Sequence, residues 1–286
     1  MATLAWIGGG NNNASNPADW SPTGVPQSFD TLEIVGPFPA TIPPVLTLPT
    51  YTMNVSKTDL AGDTLMIQFA DVTVNMWHDA IVTAQTALAN ATFNLSQNST
   101  LSLEISYNHL FSGSTATVDV LGSDTLNLEA TDPAVVNLAK NSIWIGSFNV
   151  FGGGYDGRLT ASGGRHSAFM NSSSSVEDFA SAVVAVPIVG TGTFLLGGGG
   201  ATLEFASSVG ADQSISVAGN GGDNDILRID HPGRFHGSIT LLDSFGSEEI
   251  DLIGLAHADS YTFRNDILTI FPGSSIIDTL RLYQPP

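Results

Sequence analysis

The sequence predicts an all-β protein, and three observations lead to this prediction. Hydrophobic residues make up 42% of the 286 residues and charged residues only 12%, so solubility must rest on Asn, Ser, Thr and Gly. These residues suit exposed strand faces and tight turns better than exposed helix faces. Short segments that alternate apolar and polar residues recur along the chain, and turns rich in Gly or Asn separate them.

The predicted strands follow one another along most of the chain. Each is a short run in which one face would turn inward and the other outward. These segments are Thr92–Leu95, Thr100–Ile105, Ala116–Leu121, Thr125–Leu128, Ser142–Val150, Thr193–Leu196, Thr202–Phe205, Ser214–Val217, Ile226–Ile229, Ser238–Leu242, Glu249–Leu252, Ser260–Phe263, Ile267–Ile270 and Thr279–Leu282. The turn clusters between them include Gly122–Asp124, Gly152–Gly154, Gly197–Gly200 and Gly219–Asn224.

The spacing of these strands favours a β-solenoid. A coil built from such short strands is too small to bury its own inner face, so it must stack on the next coil. Inward Leu, Val, Ile and Phe would then form aliphatic columns, and outward Thr, Ser and Asn would form polar ladders. A large β-sandwich is the alternative, because it has similar strand lengths and turn spacing. The sequence shows no strict repeat period.

Two segments carry helix signals. Asp79–Ala91 contains good helix formers after an aspartate, and Ser175–Val184 has a Ser cap and acidic residues in its first turn. At most a short helix is expected in either place.

Composition divides the chain into four zones. Residues 1–50 are Pro-rich and would cap or decorate the fold, because proline in sheets is confined to edges, turns and bulges. Residues 51–170 form the front half of the solenoid. Residues 171–189 begin with the Ser-rich stretch Asn171–Ser175, which reads as a hinge, a surface loop or a short helix. Residues 190–286 form the Gly-rich rear half with closing strands at the C-terminus.

The charge balance limits the partners. With 27 acidic residues against 8 lysines and arginines, the net charge of −19 repels nucleic acid and anionic lipid, and divalent cations are the charged partners that remain. No apolar run reaches the length of a transmembrane helix, so membrane insertion is not expected. The chain has no cysteine and must be stable without disulfides.

A family resemblance is visible at both ends of the chain. Residues 190–255 carry the glycines, aliphatic residues and acids of the repeat modules found in large proteobacterial exported proteins. The matching residues are Gly190, Gly192, Gly198, Ala201, Leu203, Glu204, Leu227, Ile229, Asp230, Pro232, Phe235, Gly237, Ile239, Phe245, Ile250, Asp251, Leu252 and Gly254. The tail Tyr261–Leu282 is similar to the closing segment of such proteins. The opening of related surface proteins is matched by Trp6, Trp20, Pro22, Gly24, Val25, Pro26, Asp30, Thr31 and Ile34.

The chain therefore resembles secreted adhesin and autotransporter-like surface proteins over about its first 35 and last 95 residues. The resemblance implies export, a β-solenoid-like fold, and a role in adhesion or in the matrix. It supplies no catalytic residues. Because the chain is far shorter than typical adhesins, a type I secreted subunit fits better than a protein that transports itself.

One turn has the composition of a calcium site. Gly219–Asp225, with the sequence GNGGDND, resembles a shortened calcium-binding nonapeptide turn. Asp223, Asn224 and Asp225 would supply the hard oxygen ligands that Ca²⁺ prefers. The motif occurs once and is one residue short, so an ordinary turn is the alternative. The six histidines show no metal-binding spacing.

Signals for catalysis are weak, and we expect a non-enzymatic protein. Glu248 and Glu249 are adjacent, so on a strand they would point to opposite faces and could not share a groove. Basic residues are few and scattered, and no nucleophile elbow occurs. The sequence predicts an extracellular structural or adhesive protein of the cell surface or biofilm matrix that assembles head-to-tail with itself. The alternative is a β-helix that binds or cleaves carbohydrate, with surface polysaccharide as its partner.

Overall fold

The computed structural model is an all-β β-solenoid whose coils stack through parallel strands, which confirms the predicted fold class. It describes residues 2–7, 17–24, 31–35, 50–56, 59–68, 71–87, 90–105, 115–153, 156–218, 224–242, 248–255, 260–271 and 278–283. The chain divides into two compact units. Unit 1 contains Met1–Trp144 and Gly164–His166, and unit 2 contains Ile145–Gly163 and Ser167–Pro286.

Unit 1 is built from strands that alternate between two sheets. The strands are β1 (Thr3–Trp6), β2 (Trp20–Ser21), β3 (Thr31–Val35), β4 (Thr50–Ser56), β5 (Asp59–Gln68), β6 (Asp71–Trp77), β7 (Ile81–Ala87), β8 (Asn90–Leu95), β9 (Thr100–Ile105), β10 (Thr115–Val120), β11 (Ser123–Ala130) and β12 (Ala134–Leu138). Sheet 1A has the order β2-β1-β3-β4-β6-β8-β10-β12, and sheet 1B has the order β5-β7-β9-β11. A 3₁₀ turn at Pro17–Asp19 precedes β2.

Unit 2 contains the remaining strands. They are β13 (Ile143–Phe151, which begins in the last residues of unit 1), β14 (Arg158–Gly163), β15 (Ala168–Asn171), β16 (Ser173–Glu177), β17 (Ser181–Val184), β18 (Ile188–Val189), β19 (Gly192–Gly197), β20 (Thr202–Phe205), β21 (Gln213–Ala218), β22 (Ile226–Ile229), β23 (Ser238–Leu241), β24 (Glu249–Leu252), β25 (Ser260–Arg264), β26 (Ile267–Phe271) and β27 (Asp278–Tyr283). Sheet 2A has the order β14-β17-β20-β22-β24, and sheet 2B has the order β13-β16-β19-β21-β23-β27-β26-β25.

Strict alternation along each strand produces the core of unit 1. Val74, Phe93, Val118 and Val136 occupy one inward column of sheet 1A, and all four are buried. Outward side chains at the neighbouring positions form ladders instead. Hydrogen-bonded residues on successive coils lie 18 to 25 positions apart in sequence, so one coil contains one strand from each sheet.

Unit 2 has a third side and a wider interior. Phe169, Ile188, Val209 and Phe235 form a column of parallel bridges on this side. Phenylalanine rings fill the larger cross-section, with centroid separations from 5.1 to 6.4 Å in the cluster that Phe194 joins. Aromatic residues suit this interior because each one fills a large volume.

Neither of the two segments that carry helix signals forms a helix. Asp79–Ala91 contains β7 and the start of β8, because Val82, Ala84 and Thr86 point inward with the period of a strand. Ser175–Val184 contains the end of β16 and all of β17. Between them Asp178 and Phe179 have φ of 55° and 65°, which is left-handed backbone that no right-handed helix accommodates.

The Ser-rich stretch is also not the predicted surface loop. Asn171 ends β15 and Ser173–Ser175 begin β16, and the side chain of Ser174 donates to Asn171 Oδ1 at 2.7 Å in a buried position. These serines are strand residues because their hydroxyls find partners within the coil. The prolines between Pro37 and Pro49, and Asp223, lie outside the described residues.

Candidate functional site

The corners of the coils place polar side chains in buried positions. In unit 1, Ala80, Ser99 and Asp124 occupy equivalent places on successive coils, as the bonds from Thr100 N to Ala80 O and from Thr125 N to Ser99 O show. Ala80 and Ser99 directly precede β7 and β9, and Asp124 is the second residue of β11. Asp124 Oδ1 accepts the Ser99 N–H at 2.9 Å and Oδ2 accepts the Gly122 N–H at 3.0 Å. Both carboxylate oxygens therefore satisfy backbone donors at the turn.

Asp225, the last residue of the predicted calcium turn, lies directly before β22 of sheet 2A in unit 2. Its side chain is 1% exposed, and its Oδ1 accepts the N–H of Ala201 on the preceding coil at 2.9 Å. Within the described residues its Oδ2 has no hydrogen-bond partner. Its neighbour Asn224 is exposed. The structure thus shows Asp225 bonded to backbone, in a role that the sequence motif did not indicate.

Burial governs the electrostatics of both corner carboxylates. Burial raises the pKa of Asp124, against the opposing effect of backbone N–H donors at Ser99, Gly122 and Asn98. Burial also raises the pKa of Asp225, against the opposing effect of the backbone N–H groups of Ala201 and Gly199, and the negative charges of Glu248 and Asp178 raise it further. Glu248 itself has a buried Oε1 without a partner in the described part of the chain.

The calcium prediction stays a prediction. Within the described ranges, no group of three or more His, Cys, Asp or Glu side chains is arranged to hold a metal ion. Asp223 lies outside those ranges, and backbone carbonyls would have to complete any site at this turn.

Sheet 2A carries an acidic cluster around one arginine. Arg228 lies between its register partners Glu204 and Asp251 on the two adjacent strands. Its Nε is 3.8 Å from a carboxylate oxygen of each and 3.5 Å from Oδ1 of Asp230. Burial and the charge of Asp230 raise the pKa of Glu204, while Arg228 lowers it. The guanidinium group of Arg228 therefore interacts with all three carboxylates, and this arrangement links adjacent coils at a charged surface.

Among the described residues, the two sheets of unit 2 end at different places. Sheet 2B extends beyond β23 through β27, which is parallel to β23, and then through the antiparallel strands β26 and β25, whereas sheet 2A ends at β24. We call these three strands the overhang. Its inner face and β24 line a cavity of about 500 Å³, formed by Ile250, Leu252, Leu255, Ser260, Tyr261, Leu268 and Ile270. In sheet 1A of unit 1, by contrast, the inward side chains Leu4 and Leu32 are buried.

A groove crosses the outer face of sheet 2B. Ser175, Leu195 and Ser216 are register partners on three neighbouring strands of this sheet. The groove has a volume of about 520 Å³ and is lined by Asn149, Phe151, Ser173, Ser174, Ser175, Glu177, Thr193, Phe194, Leu195, Ser216 and Leu242. Hydroxyls and apolar groups therefore share one concave surface, with one carboxylate at its side.

The sequence did not reveal the groove or the overhang as sites. The groove is formed by residues from several strands, and bringing them together requires the register between strands, which the degenerate repeat conceals. A signal for the overhang exists at Asn265 and Asp266. Such a pair suits a tight antiparallel turn with φ above zero, and both residues do have positive φ. Antiparallel pairing ends the coil pattern.

Comparison of the chain with protein-family models, with curated proteins and with solved structures found no match. In the described part of the chain, no helix has the length and apolar character needed to cross a membrane.

Proposed function

We propose that this protein is a non-enzymatic, extracellular structural or adhesive protein of the bacterial surface or biofilm matrix, and that it assembles with copies of itself. The unequal ends of the two sheets in unit 2 carry this proposal. Among the described residues, the outer edge of β24 has no strand beside it and adjoins an apolar cavity, and such edges are templates for pairing with another chain.

The outer faces support a structural role. On sheet 1A, Asn94 donates to Asn75 at 2.7 Å and Asn75 donates to Asn54 at 2.8 Å, so the amides form a ladder along the stack. Asn137 continues the pattern by donating to Asp119 at 2.9 Å. Hydrogen-bonded ladders fix outward side chains and stiffen the surface, which suits a scaffold exposed to water.

Sedimentation velocity and electron microscopy of the purified full chain test the proposal. Association that grows with protein concentration, or visible fibres, layers or discrete oligomers, is the expected result. A chain that stays monomeric at every concentration would contradict the proposed assembly. The head-to-tail filament that the sequence predicted is one form of such assembly.

A second candidate function is carbohydrate binding, and the groove on sheet 2B favours it. Ser175, which donates to Asn149 at 3.1 Å, and Ser216 offer hydroxyls, while Leu195 and Leu242 offer apolar surface for the C–H groups of a sugar. The volume of the groove falls within the usual range of ligand pockets. Glycoside hydrolysis needs two carboxyl groups, and Glu177 is the one carboxylate among the lining residues. Binding is therefore favoured over cleavage.

Affinity electrophoresis in gels that contain mixed-linkage β-glucan tests this candidate. Ser216→Tyr places a ring over the groove and should abolish the retardation of the protein by the glucan. Ser181→Tyr makes the same change on sheet 2A, away from the groove, and should leave the retardation intact. Equal retardation of the two variants, or none for the unaltered chain, would exclude this glucan as a ligand of the groove.

A further inference from the structure

The side chains on the inner face of the overhang become more exposed from β27 through β26 to β25. Leu280, Leu268 and Phe263 form one row of register partners across β27, β26 and β25. Leu280 is 1% exposed, Leu268 is half-buried and Phe263 is 47% exposed. Tyr261, the other inner-face aromatic residue of β25, is 73% exposed. Apolar exposure thus rises with distance from β23, because sheet 2A supplies no strand opposite β25 and β26.

The edge of sheet 2A is incomplete at the same place. β24 pairs with β22 on one side and has no strand on its other side among the described residues. Its inward residues Ile250 and Leu252 follow Leu227 and Ile229 in register, yet the former pair is half-buried and the latter pair is fully buried. In the part of unit 2 that the structure describes, no strand therefore continues sheet 2A over the overhang.

We propose that a second copy of this chain supplies those strands through its own overhang, in a tail-to-tail joint with two-fold symmetry. A two-fold axis parallel to the strands turns the second copy over, so that the inner faces of the two overhangs pack against each other. The β25 edge of each copy then lies beside the β24 edge of the other. The surface is self-complementary, as a two-fold interface requires. The joint rests on the proposed function, because it specifies which contact makes the assembly.

Charge also fits this joint. The outer face of β25 carries Arg264, and the outer face of β24 carries Glu249 and Asp251. The joint brings a basic strand of one copy beside an acidic strand of the other, on both sides of the axis. In a chain with a net charge of −19, this pairing offsets repulsion at the point of contact.

The size of the overhang sets the strength to expect. Three strands of about five residues give a face of about 14 Å by about 17 Å. Such a face covers about 240 Å² per copy, which is below the size of stable specific interfaces, so backbone pairing at the two strand edges has to add to it. The joint should therefore form reversibly, with a dimer fraction that depends on protein concentration.

Sedimentation velocity over about a hundredfold range of concentration tests the joint. The unaltered chain should pass from monomer to dimer and stop there, because two-fold contact closes. Phe263→Asp places a charge on the uncovered inner face and should weaken dimerisation by more than about tenfold. Phe179→Asp is the matched control, since Phe179 is 63% exposed in a turn of unit 2 and lies outside the overhang. It should dimerise like the unaltered chain.

A distance measurement keeps the test valid if Phe263→Asp fails to fold. The chain has no cysteine, so Thr262→Cys allows a single spin label on the exposed outer face of β25. The joint offsets the two β25 backbones by about two strand spacings across a sheet separation of about 10 Å, which places them about 14 Å apart. Double electron–electron resonance should show a short distance between the labels of two copies. Phe263→Asp should remove this distance, and Phe179→Asp should retain it.

The outcomes separate the joint from the proposed function. A series of growing oligomers without a short distance would overturn the two-fold joint and leave self-assembly standing. A monomer at every concentration would overturn both. Dimers that Phe263→Asp and Phe179→Asp affect equally would place the contact elsewhere on the chain and overturn the joint.

Discussion

Asp124 in unit 1 and Asp225 in unit 2 are both buried near the start of a strand, Asp124 in sheet 1B and Asp225 directly before a strand of sheet 2A, yet their surroundings differ. Each carboxylate accepts the N–H of a residue on the preceding coil at 2.9 Å. Asp124 also accepts a second N–H, from Gly122, so that both of its oxygens are bonded. Asp225 keeps Oδ2 without a partner in the described part of the chain, and the acids Glu248 and Asp178 lie near enough to raise its pKa.

The difference teaches how far a buried carboxylate stabilises a solenoid corner. A buried charge is favourable only where donors replace the water that it loses. Asp124 meets this condition, and Asp225 meets it for one oxygen. Burial raises the pKa of both carboxyl groups, so the charged form of each carries an electrostatic cost in the folded state. We therefore infer that hydrogen bonds offset more of this cost at Asp124 than at Asp225.

The largest expected effect comes from removing the Asp124 carboxylate. Asp124→Ala leaves the N–H groups of Ser99 and Gly122 buried without acceptors, which should lower the free energy of unfolding by about 2 to 4 kcal/mol. Asp124→Asn should cost about 1 to 2 kcal/mol, because its NH₂ group cannot accept the second N–H. Chemical denaturation followed by circular dichroism measures both changes.

Ser123→Ala is the control for this corner, since Ser123 is exposed at the adjacent position. Its unfolding midpoint should match that of the unaltered chain. If Asp124→Ala were equally neutral, the two hydrogen bonds would contribute nothing to the corner, and the contrast with Asp225 would disappear.

A smaller effect, of the opposite sign, is expected at Asp225. Asp225→Asn keeps an oxygen for the N–H of Ala201 and removes a charge near Glu248 and Asp178. It should therefore raise the free energy of unfolding at neutral pH by about 0.5 to 1 kcal/mol. Equilibrium denaturation at pH 7 measures this gain, and a loss as large as that of Asp124→Asn would show the two corners to be alike.

The pH dependence of this gain follows from the pKa of Asp225. The folded state raises that pKa above its ordinary value of 3.8, so the folded state binds the proton more tightly than the unfolded state. Stability from this group is present below the ordinary value and is lost as pH rises through the folded value. The advantage of Asp225→Asn should therefore grow from about pH 4 to about pH 7. A constant difference would indicate that Asp225 is not shifted.

Much of the fold could be predicted from the sequence, because strand alternation is a local property. The predicted strands Thr92–Leu95 and Thr202–Phe205, for example, lie within β8 and at β20. The helix signals in Asp79–Ala91 and Ser175–Val184 do not produce helices because Asp79 and Phe179 adopt left-handed backbone at corners, and residue type alone does not reveal that conformation. The groove, the overhang and the second hydrogen bond of Asp124 depend on register between coils, and register becomes readable only once coil lengths are known.

The smallest expected effect concerns the calcium turn. Extracellular calcium modules bind with dissociation constants of about 10⁻⁴ to 10⁻³ M. If Asp223, Asn224 and Asp225 bind Ca²⁺ in this range, a concentration equal to the dissociation constant adds about 0.4 kcal/mol and raises the melting temperature by about 1 °C. Differential scanning calorimetry with Ca²⁺ and with EDTA measures the shift. Asp225→Asn should abolish it, because the bound ion would neutralise the repulsion that this substitution already removes. An identical melting temperature with Ca²⁺ and with EDTA would leave Asp225 as a corner residue alone, held by the N–H of Ala201.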